Sequence, residues 1–373
     1  MGMPLVRVPS GICRCATVGV SVVSPCDAFA WPSGSSYQSV SQGNPDMHGS
    51  FARKSGLAWA LGFGFSAAAI ASTGPVLAAP KIFAPGVISG PANDGSPTFS
   101  PDGNTLFFTR SGAGGGMIME SHRVDGHWTA PVIAPFSGTW PDLAPEISPN
   151  GKYLIYVSIR RTASKPARQQ VGLWRVNRIG SGWNRWSTPK RLPTAVNISD
   201  AVWKASVTSD GSIYFLSIDP GKGKRLYVSH FRHGAYQPAQ PLSFSHYGDD
   251  DVDPEVAPDG SFMLFASDHR LPGDSKDHLF IVFRHGHRWG TPHAIRYAGD
   301  EARGFSTDYL PHLAPDHRTL YFASDRTAEV AHYPHTPAQA RAYLRRIEQW
   351  DNGNLNAWSV SLVPWLDARK SAE

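Results

Sequence analysis

The 373-residue chain is 41% apolar and only 17% charged, which excludes a disordered polypeptide and suits a large packed domain. Residues 1–78 hold Arg7, Arg14, Arg53 and Lys54 against Asp27 and Asp46, so the formal charge of +5 falls to +3 beyond them. With no basic block, that bias is too weak to indicate a nucleic-acid partner. All three cysteines, Cys13, Cys15 and Cys26, lie in the first 26 residues, so the rest of the chain can form neither disulfides nor thiolate metal sites.

Residues 47–78 read as a signal peptide. Arg53-Lys54 gives the positive start, Leu57 to Ile70 the apolar stretch, and Gly74-Pro75 a break before the small-residue motif Val76-Leu77-Ala78. Cleavage is expected after Ala78, releasing residues 79–373 to the periplasm or exterior; the other reading is an uncleaved anchor, for which about 20 apolar residues suffice. Met47 is placed as the true start, and residues 1–46 as a mis-assigned extension ahead of it.

A turn reading Pro-Asp-Gly or a close variant then recurs five times, each followed by an aromatic and β-branched run. The turn markers Asp102, Asn150, Asp210, Asp259 and Asp316 are spaced by 48, 60, 49 and 57 residues. Asp-Gly between alternating apolar runs signals a hairpin, and a period near 50 signals a propeller or solenoid. Each unit reads as four strands, A to D, with D opened by an aromatic step such as Trp128-Thr-Ala-Pro131. The last unit has no strand D, but KIFAPGVIS from Lys81 repeats the D pattern of TAPVIAPFS from Thr129. The expected fold is therefore all-β: a propeller of five four-stranded blades closed by the N-terminal strand, with a sixth blade only if another copy exists. A helical insertion is expected at about 328–352, with Thr336 as N-cap and Pro337 at the first helical position.

The S-P-D-G hairpin, the L-x-F-x-S strand, the Pro-Glu of strand A and the W-x-x-P step resemble the TolB-like family, built from WD40-like Pro-Asp-Gly repeats. The resemblance spans about residues 80–365 and implies the propeller fold. It is nearly silent on chemistry, since such propellers serve as binding proteins, peptidase gates and carbohydrate-active enzymes. TolB's N-terminal α/β domain has no counterpart between the expected signal and the first blade.

The B–C connections are long after Arg160, Asp268 and Asp325, whereas the A–B and C–D turns are tight. Long loops gathered on one face of a rigid scaffold carry binding sites, so that face is the expected functional one. Eight residues before the turn marker stand Asp94, Asp142, Asp251 and Asp308, with Val202 in the third unit and Asp200 nearby. Strand A then offers Thr98, Glu146, Ser206, Glu255 and His312, and Arg110, Arg160, Arg270 and Arg326 follow strand B. One reading is structural: aspartates bonding turn amides, and arginines bridging to the next blade's aspartate. The other is a ring that binds a polar ligand, or calcium or another divalent cation, with His312 admitting a transition metal. His332-x-x-His335, in the long insertion, reads as a surface pair for which a zinc site would need a third ligand, and His285-Gly-His287 as exposed in a C–D turn on the opposite face. The expected protein is an exported, monomeric binding or interaction module for a protein, glycan or polar small molecule. The alternative is a glycoside hydrolase or lyase drawing its acids from Asp142, Asp251, Asp308, Glu146 and Glu255.

Overall fold

The computed structural model describes residues 74–161, 170–271, 273, 276–300, 306–328 and 335–372. Five antiparallel sheets form five blades. Their innermost strands are Asn93–Phe99, Asp142–Ile147, Val202–Val207, Asp251–Val256 and Asp308–Leu313, here blades I to V. The hairpins form for the reason their sequence suggests. The turn Asp or Asn accepts from the backbone N–H two residues on, as Asp102 does from Asn104 (3.1 Å), Asn150 from Lys152 (3.0 Å) and Asp259 from Ser261 (2.9 Å). The next residue takes positive φ, as glycine in four blades and as His317 (φ 52°) in blade V.

The ring closes where strand D of the last blade was missing. Lys81–Ile82 pairs antiparallel with Asn356–Ser361, Lys81 opposite Ser359 and Ile82 opposite Trp358, so the fourth strand of blade V precedes blade I in the chain. Ahead of it, Val76–Leu77 runs parallel to Arg296–Tyr297, and Leu77 is fully buried in the core shared by blades III to V. These two residues belong to the expected cleavage motif; residues 47–73 of that segment, and Cys13, Cys15 and Cys26, lie outside the described residues.

The insertion contains helix α1, Pro337–Gln349, begun by a capping box in which Thr336 and Gln339 each bond the other's backbone N–H. A second helix, α2 (Val363–Ala372), follows the last strand. No helix among the described residues is long and apolar enough to cross a membrane.

The sequence does not announce one device, repeated in every blade. Each inner strand carries a β-bulge, and at it Ser96, Ala144, Lys204, Asp253 and Leu310 all take positive φ, between 26° and 54°. Left-handed backbone is costly for non-glycine residues, so a fivefold recurrence marks a geometric requirement of the channel wall.

Candidate functional site

The expected bridges from each arginine to the next blade's aspartate do not form; instead each of the four arginines pairs with the aspartate of its own blade. Arg110 Nε lies 2.6 Å from Asp94 Oδ1, Arg160 Nη2 3.0 Å from Asp142 Oδ2, Arg270 Nε 2.6 Å from Asp251 Oδ1, and Arg326 Nη2 2.6 Å from Asp308 Oδ2. Three of the guanidinium groups also donate to a carbonyl of the incoming loop: Ile88 (3.1 Å), Phe136 (2.6 Å) and Phe244 (2.8 Å). Burial raises the carboxyls of Asp94, Asp251 and Asp308 against the pull of their arginines. These are closed ion pairs that pin the D–A loop to strand B. Blade III inverts the pattern. Val202 replaces the Asp, and Asp219 stands at the arginine's position, accepting from Tyr227 Oη (2.9 Å) and also from Tyr247 Oη.

Four positions along, the strand A side chains latch neighbouring blades. Thr98 Oγ1 accepts from Ile147 N (3.1 Å), Glu146 from Val207 N, Ser206 Oγ from Val256 N (2.9 Å) and Glu255 Oε1 from Leu313 N (2.8 Å). The fifth member breaks the series, since the buried His312 Nε2 has no hydrogen-bond partner among the described residues. Side chains from four blades thus tie the channel wall together.

Lys204 is the residue that sequence reasoning missed. Its Nζ sits 3.3 Å from Glu255 Oε2 and 3.9 Å from Glu146 Oε2, while His312 Nδ1 is 3.3 Å from Glu146 Oε2 and 3.8 Å from Glu255 Oε2. Glu146, Glu255 and His312 each offer a ligand atom within 4.8 Å of the others, the spacing of a metal site. The ammonium group already lies beside the same two carboxylate oxygens. Burial lifts Glu146 to about 7 and lowers His312 to about 3, with Lys204 opposing the first shift and adding to the second. Aligning the five inner strands by turn marker would have exposed Lys204, since it alone puts a cation at the bulge position.

Five Pro-Asp-Gly-type hairpins now stand in one closed ring of four-stranded blades. The fold is a five-bladed β-propeller. No family model and no curated protein matches the chain. Among solved structures it is similar to a putative TolB from Agrobacterium tumefaciens, at 18% identity and a TM-score of 0.41, over 65% of this chain and 74% of that one. TolB from Acinetobacter baumannii gives 15% and 0.41 over 72% of this chain, which spans 54% of that protein's length. A thermostable family-43 glycoside hydrolase gives 14% and 0.41, over 62% and 83%. These likenesses concern the fold alone.

The propeller's loop face carries a second cluster. Asp250, Asp268 and His269 each offer a ligand atom within 4.8 Å of the others, with His269 Nδ1 at 2.6 Å from Asp268 Oδ1 and 3.5 Å from Asp250 Oδ2. Lys224 Nζ lies 3.9 Å from Asp250 Oδ2. Asp277 joins them electrostatically, driven to about 7 by burial and then by the charges of Asp268 and Asp253; Asp253 itself is raised to about 6 by burial. Of the other predicted positions, His285 and His287 sit exposed in a C–D turn, and His332 lies outside the described residues.

Proposed function

We infer that this propeller is an exported binding module whose loop face, at blades III and IV, receives a positively charged partner surface such as a basic stretch of polypeptide. The supporting observation is the imbalance of charge there. Asp250, Asp268 and Asp277 converge with Lys224 and His269 as their neighbouring cations, beside Asp253, which is held by Leu310 N and offset by Lys204, in a domain that is net basic beyond residue 78. An incoming ammonium or guanidinium group would relieve that repulsion. The channel carboxylates suit this role less, because each is latched to backbone or paired with Lys204 or an arginine. The glycosidase reading draws on Glu146, whose carboxyl near 7 matches a general acid. Against it stands access, since Glu146, Glu255 and Lys204 are all buried.

The test is a thermal-shift titration with tetralysine at low salt, on wild type and on Asp250→Asn/Asp268→Asn. Stabilisation should vanish in the double variant and at about 0.5 M salt, where screening acts within a few ångströms. A shift retained in the variant removes the reading, and a shift with calcium alone replaces the polypeptide by an ion. Export rests on the pattern of residues 47–78; intact mass of the chain recovered from the periplasm would locate the new N-terminus, and a wholly cytoplasmic chain would refute export.

A further inference from the structure

A cavity of about 330 Å³ opens between blades V and I, on the turn face opposite the long loops. It is lined by Phe83, Phe99, Trp128 and Tyr321, with Arg123, Pro315 and Asp316 at its rim. Its size falls at the small end of ligand cavities. The blade I–II junction shows what such a space accommodates, whereas the blade III–IV junction keeps an open space of about 230 Å³ beside Tyr214, Gly260 and Arg284. At the next junction, between blades I and II, the corresponding residues are Pro101 for Pro315, Phe107 for Tyr321, Arg178 for Arg123, Trp186 for Trp128 and Gly151 for Gly103. The correspondence is structural as well: Arg123 N donates to Asn104 O and Arg178 N to Lys152 O, each two residues past its turn marker.

At the blade I–II junction an indole from the chain itself sits among these residues. Trp183 lies 6.2 Å from Phe107 and 5.9 Å from Trp186 between ring centroids, and the Arg178 guanidinium stands over it at 4.4 Å. A Cβ on Gly151 would touch that indole at 3.4 Å. Trp183 reaches this place because seven residues separate Arg178 from Trp186, whereas four separate Arg123 from Trp128. The shorter blade I turn carries no aromatic residue to fold back. The blade V–I cavity therefore keeps the proline, the Tyr321 and Trp128 walls and the arginine, and lacks the indole; its other two walls, Phe83 and Phe99, stand where the blade I–II junction has Ala134 and Ile147. Arg123 is exposed, and the one hydrogen bond of its side chain among the described residues runs from Nε to Gly126 O at 3.3 Å.

We propose that this cavity is a binding site for a tryptophan or phenylalanine side chain presented by a partner polypeptide, held between the aromatic walls and under the Arg123 guanidinium as Trp183 is held under Arg178. The site is independent of the acidic loop face and stands or falls separately from it.

Calorimetric titration with N-acetyl-L-tryptophanamide, and with a Gly-Gly-Trp-Gly-Gly peptide, tests it. Saturable binding of both is expected, weakened about 2–5-fold by Arg123→Ala through the lost cation–π contact. Replacing Val124–His127 with the Ile179–Arg185 sequence should fill the cavity from within, abolish binding and raise the melting temperature. No saturation at about 10 mM amide overturns the site. Undiminished binding in both Arg123→Ala and the graft places any binding elsewhere and overturns it too. If the amide binds and the peptide does not, the polypeptide occupant is wrong.

Discussion

Lys204 Nζ lies 3.3 Å from Glu255 Oε2 in the channel, where both side chains are buried and Glu146 Oε2 is 3.9 Å from the same nitrogen. Removing one partner of a buried pair leaves the other charge without compensation, at a cost of about 3–5 kcal/mol. Lys204→Met should therefore destabilise the propeller by about that amount in urea denaturation at pH 8. The loss should shrink near pH 5, where Glu146 and Glu255 can take up protons instead. An equal loss at both pH values would show that the ammonium does not serve as their counter-ion.

Titration of the same cluster predicts two opposing slopes. Glu146, at about 7 when folded and in the ordinary carboxylate range when unfolded, binds its proton more tightly in the native state. Its contribution is present below about pH 4.5 and is lost as pH rises through 7. His312, held near 3, does the reverse: the unfolded state protonates first, so stability falls as pH drops below about 6.5. Glu146→Gln should flatten the decline between pH 5 and 7, and His312→Gln the acid limb, each by about 1–3 kcal/mol over its window. Stability measured in urea across pH 4–8 reads both; variants that keep the wild-type slopes would assign them to other groups.

The repeat made the blade number, the hairpins and the closing strand legible, because turn chemistry and strand alternation are local properties of the chain. The same register brought Asp94, Asp142, Asp251 and Asp308 to equivalent places. It could not say that each would be consumed by an arginine of its own blade, since that depends on where strand B delivers the guanidinium. Lys204 stayed hidden for a related reason. A lysine in Val-Trp-Lys-Ala-Ser-Val reads as an exposed strand residue, and only the bulge turns it into the channel. The blade V–I cavity is defined by an aromatic that one turn carries and another lacks, a difference visible in the sequence only once the blades are superimposed.

Leu77 sets a test of the chain's processing. It is fully buried, its carbonyl accepts from Ala298 N at 2.8 Å, and a Cβ on Gly74 would fall 1.9 Å from the Trp365 ring. Burying a leucine contributes about 1.5–3 kcal/mol. A chain beginning at Gly74 should therefore be more stable, by about that amount, than one beginning at Ala79, with Leu77→Ser in the longer chain giving an intermediate value. Equal melting of the two chains would mean that cleavage after Ala78 costs the fold nothing.

Ser96 offers the sharpest check on the bulge. Its side chain is fully buried, its Oγ has no hydrogen-bond partner among the described residues, and its φ is 52°. The hydroxyl gives up water without replacement, at about 1–3 kcal/mol, and a Cβ in left-handed backbone adds about 1–2 kcal/mol. Glycine removes both terms and restores part of the loss through its larger unfolded-state entropy, about 0.5–1 kcal/mol. Ser96→Gly should thus stabilise the propeller by about 1 kcal/mol or more, an outcome opposite to that of most core substitutions. The corresponding Leu310→Gly should destabilise it, because there the relief of φ is outweighed by about 2–5 kcal/mol for the emptied leucine site. If Ser96→Gly melts below wild type, the bulge is not strained at this position, and the fivefold positive φ reflects a backbone shape that its side chains adopt without cost.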